Sequence, residues 1–479
     1  MAKPSPKPQT AIPRVGGTTG TGAREPAAVP GGALRAYRVI ARVAAPVAPL
    51  LLRLRAGRGK EDPARAPERL GRTSRPRPKG PLLWLHAASV GETNAILPLI
   101  GALGERATGL SLLLTTGTVT SAKLAQSRLP KEAIHQFAPL DIPQFIAAFL
   151  DHWRPDAAIF AESEIWPNLI LELAGRGIPL ALVNGRLSER SYRRWLRRPG
   201  LSAPLFSRFQ LVLAQNGETA QRFAALGARP VQAVGNLKMD GPAPPADPDM
   251  LARLRKLTGA RPIVAAASTH PGEDEAVIAA HKTLAPANEG LLTIIAPRHP
   301  ERGAAVAALA RRAGLAARLR SAGKEPDADC EIYVADTIGE LGLIYALSPI
   351  AFVGGSLIPH GGQNPVEAVR HGCAVVTGPH TENFADAYRS LANARACVVI
   401  EDGHRLAPAL SSLLEDAPAR KALAGRASAA VAAMEGALER TLAALAPLLP
   451  VSLAASGKSD KSEAVRAGRG TGNGIARAP

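Results

Sequence analysis

The run Leu82-Leu-Trp-Leu-His-Ala87 leads directly into Ala88-Ser-Val-Gly-Glu-Thr93, and this junction decides the fold. A short, nearly continuous apolar run is what a strand buried on both faces requires; a half-exposed strand would alternate instead. After it comes a strand-to-helix turn, in which Gly91 permits a tight bend and Glu92 falls in the helix's first turn. The unit repeats. Apolar runs at 110–115, 157–161, 180–183, 211–214 and 231–234 alternate with helix-length segments such as 92–103, 143–152 and 218–226. A second series follows at 263–267, 291–296, 331–335, 350–353 and 374–377, with helices expected at 339–346 and 365–371. Between the series lies Asp240-Gly-Pro-Ala-Pro-Pro-Ala-Asp-Pro-Asp249, whose four prolines predict a linker without regular structure. The expected fold class is α/β: two doubly wound, Rossmann-like domains, with ligands in the inter-domain cleft at the carboxyl ends of the strands.

Composition narrows the function classes. The 479 residues are 46% apolar and 20% charged, as in globular proteins, but only 4% aromatic, few for a protein that stacks bases. Cys330, Cys373 and Cys397 are too few and too scattered for a disulfide scaffold and fit a reducing compartment. The net charge of +18 lies on the flanks: residues 1–80 hold 17 basic and 4 acidic side chains, and 453–479 hold 5 and 2. The body between is nearly neutral, which argues against a nucleic-acid surface on the fold.

The flanks divide further. Residues 1–32 and 453–479 have almost no large apolar groups and are expected to be disordered. Residues 33–80 carry Arg35, Arg38, Arg42, Arg53 and Arg55 around Val43-Ala-Ala-Pro-Val-Ala-Pro-Leu-Leu-Leu52. That uncharged run is well short of the ~20 residues a spanning helix needs, and Pro46 and Pro49 interrupt it. Three readings stand: a helix lying in an anionic membrane interface, docking onto the protein's own surface, or a secretory signal. The arginines after the run weigh against the last. Domains are then expected at 81–240 and 250–452.

The phosphate loop G-x-x-x-x-G-K-[ST], G-x-G-x-x-G after a strand, G-x-S-x-G and H-E-x-x-H are all missing. Asp247-Pro-Asp249 and Asp327-Ala-Asp329 lie in connectors, and the histidines lack zinc-ligand spacing, so no metal is expected. Polar residues cluster instead where strands end. Glu92 is either a carboxylate favoured by the helix dipole or a general base raised to the sheet edge. In Phe160-Ala-Glu-Ser-Glu-Ile-Trp-Pro-Asn168, Glu162 and Glu164 end a buried strand, where acids are costly unless paired or facing a cleft. Lys238, in Val234-Gly-Asn-Leu-Lys-Met-Asp240, leaves the first domain's last strand and alone says little.

The second domain has nucleotide-like features. Pro297 and Arg298 follow a strand, where a guanidinium can grip a phosphate. Asp336-Thr-Ile-Gly-Glu340 is expected to open a helix with glycine in its first turn, suited to anions. Phe352-Val-Gly-Gly-Ser-Leu-Ile-Pro-His-Gly-Gly-Gln-Asn-Pro-Val-Glu-Ala368 places four glycines before a helix that Pro365 begins. Glu367, one turn inside, can accept two ribose hydroxyls.

Taken in order, Ala88-Ser-Val-Gly-Glu92, Glu162-Ser-Glu-Ile-Trp-Pro-Asn168, Asn184-Gly-Arg-Leu-Ser188, Gly235-Asn-Leu-Lys-Met-Asp240, Pro297-Arg-His-Pro-Glu-Arg302, Asp336-Thr-Ile-Gly-Glu340 and Gly361-Gly-Gln-Asn-Pro-Val-Glu367 resemble the bacterial 3-deoxy-D-manno-octulosonic acid (Kdo) transferases of lipopolysaccharide synthesis. The resemblance runs from about residue 34 to 449. It implies the two-domain glycosyltransferase-B fold and inverting, metal-independent transfer of Kdo from CMP-Kdo to a lipid A precursor (lipid IVA), with no cofactor. It implies Glu92 as the base, Glu162 and Lys238 as transition-state stabilisers, and CMP contacts from Pro297, Arg298, Ile338, Gly339, Glu340, Asn364, Pro365, Val366 and Glu367. It also implies residence at the cytoplasmic face of the inner membrane, against an anionic surface. Met239 departs from the family pattern, where an aromatic residue is common. Alternatives are a related transferase with another nucleotide sugar or acceptor, and a lipid-A-precursor-binding scaffold with a dead site.

Overall fold

The computed structural model of the protein describes residues 28–241 and 243–454. Most of the two segments expected to be disordered lies outside them. Among the described residues, fourteen strands form two seven-stranded sheets, parallel throughout. The first holds β1 (Leu82–His86), β2 (Ser111–Thr116), β3 (Ile134–Phe137), β4 (Ala157–Ala161), β5 (Leu180–Gly185), β6 (Leu211–Ala214) and β7 (Val231–Ala233), in the order β3-β2-β1-β4-β5-β6-β7. The second holds β8 (Ile263–Thr269), β9 (Leu292–Pro297), β10 (Ala317–Leu319), β11 (Ile332–Val334), β12 (Ile350–Val353), β13 (Ala374–Thr377) and β14 (Val398–Val399), ordered β10-β11-β9-β8-β12-β13-β14. In each sheet the chain starts mid-sheet and fills one side before the other; in the second, β11 inserts between β9 and the edge strand β10. The strand order turns between β1 and β4 in the first sheet and between β8 and β12 in the second. At such switch points the flanking loops diverge and leave a crevice for ligand.

Three strands escape the apolar-run reading. Segment β3, Ile-His-Gln-Phe, buries two polar side chains, and each finds a partner: His135 Nε2 lies 3.0 Å from Thr116 Oγ1, and Trp153 Nε1 donates to Gln136 Oε1 at 2.8 Å. Strands β10 and β14 are edge strands of three and two residues, too short to show a pattern. The linker is also shorter than expected, because the helix Pro248–Thr258 begins inside it. Proline is accommodated in that first turn, and Asp247 caps the helix by accepting the Met250 N–H at 2.8 Å.

The second domain ends earlier than residue 452. The helix Ala437–Leu445 crosses back and packs Ala437, Leu442 and Leu445 into the core beneath Leu83, Ile159 and Ala181 of the first sheet. Asp240 accepts the N–H groups of Gly436 and Leu438, and Arg106 pairs with Glu439 at 2.6 Å. The apolar stripe of this helix completes the first lobe's core, so sequence continuity with the second lobe is a poor guide here.

Residues 32–56 form two helices, Gly32–Val43 and Ala48–Ala56, and neither is simply surface-bound or free. Leu34 and Leu52 are buried, Arg38 pairs with Glu172 at 2.9 Å, and Tyr37 donates to Asp141 at 2.9 Å. The opposite face leaves Val39, Ile40, Val43, Val47, Leu50, Leu51 and Leu54 exposed. Among the described residues no helix is long and apolar enough to cross a membrane.

Candidate active site

Glu92 stands just beyond β1, in the first turn of the helix Val90–Arg106. Ser89 has an extended backbone; its Oγ accepts the Glu92 N–H at 3.3 Å, while Glu92 Oε2 accepts the Ser89 N–H at 3.0 Å. This reciprocal cap is the structural role that the sequence allowed for Glu92. It uses one face of a carboxyl that is only 8% exposed. Burial, then the charge of Glu164, push the carboxyl up to about 7, against the Ser89 hydrogen bond; Glu162 adds to the rise. A carboxylate near pH 7 is a base matched to its medium.

Glu162 and Glu164 follow β4, across the switch point. Glu162 adopts φ +51°, a left-handed conformation uncommon for a residue with a side chain. Its Oε1 lies 2.6 Å from Lys238 Nζ, and Asn184 Nδ2 approaches the same oxygen at 3.4 Å. Asn184, at the end of β5 with φ +52°, also accepts the Leu237 N–H at 3.0 Å. One asparagine thus fastens the turn carrying Lys238 to the loop carrying Glu162. Strain kept at two adjacent strand ends, with a lysine drawn in from a third, is the pattern of a functional site. The structure therefore brings Glu162 and Lys238 together and sets Glu162 within electrostatic range of Glu92.

In the second lobe, Pro297 ends β9 and Arg298 follows it, its N–H bonded to Thr269 O at 2.9 Å. Asn364 caps the helix Pro365–Arg370 through Oδ1 to the Val366 N–H at 3.1 Å, and donates from Nδ2 to Glu367 Oε1 at 3.1 Å. Burial raises the Glu367 carboxyl, while Asn364 and the Arg298 charge oppose the rise. Arg298 therefore lies within electrostatic range of Glu367. The glycine loop before them is fixed by a residue the sequence reading missed. Glu273, fully buried, accepts the N–H groups of Gly355, Ser356 and Leu357 at 2.7, 2.9 and 3.0 Å. At Gly354 a Cβ would meet Ser268 O at 2.6 Å, so this strand end comes too close to β8 for a side chain.

The third segment expected to contact CMP, residues 336–340, folds differently from expectation. Gly339 takes φ +88° and lies outside the helix, which begins only at Leu341 and runs seven residues. Residues 336–340 are a turn beyond β11, with Ile338 87% exposed. Glu340 is engaged by Arg320 through both oxygens and by the Thr337 hydroxyl. Its carboxylate is committed, which leaves backbone groups of the turn for a ligand.

Asp247 caps a helix and Asp327 pairs with Arg318 at 3.0 Å, so both D-x-D strings have structural work. Among the described residues no cluster of three or more His, Cys, Asp and Glu could hold a metal. Two further residues went unread, His86 and His270, and Glu164 was read only as a strand-end acid without a role. The first is a lone polar group at the carboxyl end of an apolar strand, which was the available signal. Between the lobes runs a cleft of about 890 Å³, bordered by Lys238, Asn216 and Arg186 from one side and Asn383, Asp386 and Arg389 from the other. Asn216 Nδ2 donates across it to Asp386 Oδ2 at 2.7 Å.

Two parallel doubly wound lobes, with acids at one switch point and Arg298 and Glu367 in the second lobe, make up the two-lobed glycosyltransferase-B fold. Solved structures agree: a glycosyltransferase from Rickettsia africae superposes with a TM-score of 0.55 at 11% identity, covering 78% of this chain and 99% of that one. Residues 64–241 match the family model of 3-deoxy-D-manno-octulosonic-acid transferase. A probable mitochondrial 3-deoxy-D-manno-octulosonic acid transferase of Arabidopsis thaliana is 37% identical over 386 residues, 78% of this chain and 85% of that protein. The 3-deoxy-D-manno-octulosonic acid transferase of Haemophilus influenzae is 35% identical, covering 79% and 89%. The chain belongs to the Kdo transferase family.

Proposed function

We propose that the protein transfers Kdo from CMP-Kdo to the glucosamine disaccharide of a lipid A precursor (lipid IVA), with inversion and without a metal. Residues 81–240 serve the acceptor and 250–436 serve the donor. The observation that carries this reading is Glu92, a buried carboxyl poised near pH 7 at the first sheet's switch point, with the Glu162–Lys238 pair close by. In the transfer the acceptor hydroxyl gives its proton to Glu92, its oxygen bonds the anomeric carbon, and the bond from that carbon to the phosphate breaks, its electron pair leaving on CMP. Lys238 Nζ meets negative charge on the sugar carboxylate or the departing phosphate, and Glu162 orients that ammonium. Arg298 takes the phosphate and Glu367 the ribose hydroxyls, with Asn364, Pro365 and Val366 shaping the bay and Pro297, Ile338, Gly339 and Glu340 bounding it. Positive charge from these side chains supplies what a metal would, so activity should survive a chelator.

The uncovered apolar face of residues 39–54, beside Arg35, Arg42 and Arg53, supports residence on an anionic membrane, placed by the family's acceptor at the cytoplasmic face of the inner membrane. The test is incubation with CMP-Kdo and lipid IVA in detergent micelles. CMP release with a mass gain of Kdo on the lipid is expected, with and without EDTA. No CMP release would end the reading; release only with a different nucleotide sugar would favour a sister activity.

A further inference from the structure

A buried hydrogen-bond chain ends at Glu164. Trp84 Nε1 donates to Thr115 Oγ1 at 2.9 Å, and Thr115 Oγ1 lies 2.9 Å from His86 Nδ1. Because the hydroxyl oxygen already accepts from the indole, its own proton is free to point at Nδ1; the Leu85 carbonyl, at 3.4 Å, is the poorer alternative. Nδ1 also lies 3.2 Å from the Thr115 carbonyl oxygen, and on the other side of the ring Nε2 lies 3.3 Å from Glu164 Oε2, where an Nε2–H donates to the carboxylate. Trp166 Nε1 donates to the same oxygen. Trp84, Thr115 and His86 are all essentially sealed from solvent. Such a chain through an apolar strand is costly unless every member is satisfied, and here its open end is a carboxylate.

That carboxylate faces the base. Glu164 follows β4 and Glu92 follows β1, the paired strands of the switch point, and the Glu164 charge acts directly on the Glu92 carboxyl. The ionisable groups facing Glu92 are Glu164 and Glu162 on the loop after β4. Behind them, His86 is tied to Glu164 and Lys238 to Glu162.

We propose that Glu164, pinned by His86 and Trp166, is a positioning residue that receives the hydrogen bond of protonated Glu92 once the acceptor's proton has moved. The transfer itself is unchanged: the hydroxyl proton goes to Glu92, the acceptor oxygen bonds the anomeric carbon, and CMP departs with the electron pair of the broken bond. Glu164 then accepts from the new Glu92 O–H, while His86 Nε2–H keeps Glu164 ionised and aimed. A carboxylate so placed also holds Glu92 as a stronger base before the reaction. This inference rests on Glu92 being the base.

The experiment compares Glu164→Gln, His86→Leu, His86→Gln and Glu92→Gln in pH profiles of kcat/KM, with CMP affinity and thermal unfolding as folding controls. Glu164→Gln is expected to move the acid limb down by about one pH unit and lower kcat about tenfold, with CMP affinity unchanged. His86→Leu should lower kcat about tenfold with KM unchanged, and His86→Gln, which keeps a donor at the same reach, should restore most of it. A folded Glu164→Gln protein with the wild-type acid limb would overturn the positioning role. Near-wild-type turnover in Glu92→Gln would instead overturn the base assignment, so the two failures are told apart.

Discussion

Lys238 and Glu162 meet at 2.6 Å although they leave different strands, β7 and β4, with β5 and β6 between them in the sheet. The contact exists because Asn184, at the end of β5, bonds both to Glu162 and to the backbone beside Lys238. Lys238→Ala should therefore lose transition-state charge stabilisation without disturbing the second lobe. A fall of about 10²–10³ in kcat is expected, roughly 3–4 kcal/mol, with CMP affinity held. Steady-state kinetics paired with CMP titration checks it; equal losses in both would mean that Lys238 acts through the fold.

Glu92 also ties activity to stability. Its carboxyl sits near 7, raised by burial and by Glu164, whereas in the unfolded chain it returns to the ordinary range. Between those values the folded state binds the extra proton, so this group's contribution to stability is present at low pH and declines as pH rises toward 7. Glu92→Gln keeps a side-chain oxygen for the Ser89 cap and removes the buried charge. The variant should unfold at a higher temperature than wild type at pH 8, with the gap closing by about pH 5, while turnover is abolished. Calorimetry at both pH values reads this; a destabilised variant at pH 8 would contradict it.

Glu273 is the second lobe's hidden requirement. Its two oxygens receive three consecutive backbone N–H groups of the glycine loop and a fourth from His270. Glu273→Ala leaves those donors buried without partners, at about 1–3 kcal/mol each before the loop rearranges. CMP affinity should drop at least tenfold and the urea midpoint should fall. Unchanged CMP affinity in a folded protein would show that the loop holds its shape by other means.

The fold was legible because both sheets are parallel and covered on both faces, which turns central strands into apolar runs. Strand β3 hid because its buried histidine and glutamine take tertiary partners that no local pattern displays. The crossing of the helix Ala437–Leu445 was invisible for a similar reason: an apolar stripe does not name the core it will join. At the site, acids at strand ends could be read, since an acid there needs a reason. His86 could have been noticed on the same logic. The Asp336–Glu340 turn misled because a glycine near an expected helix start reads as an anion cradle, whereas φ +88° at Gly339 ends the turn outside the helix.

The helices at residues 32–56 separate two roles that a deletion would merge. Leu34 belongs to the first lobe's core, and Tyr37 and Arg38 bind Asp141 and Glu172, so removing the segment would damage the fold as well as any surface it offers. Val43, Leu50 and Leu54 are at least 58% exposed and lie on the uncovered side. Changing all three to Glu leaves the core packing intact while replacing apolar area worth about 1.5–3 kcal/mol per buried side chain with charge repelled by anionic lipid. The triple variant should keep its melting temperature and its turnover on micellar acceptor, yet lose most of its co-sedimentation with vesicles containing anionic lipid. Leu34→Ala is the converse control: about 2–5 kcal/mol less stable, with vesicle binding preserved while folded. Full co-sedimentation of the triple variant would remove this face from membrane attachment and shift attention to the arginines around it.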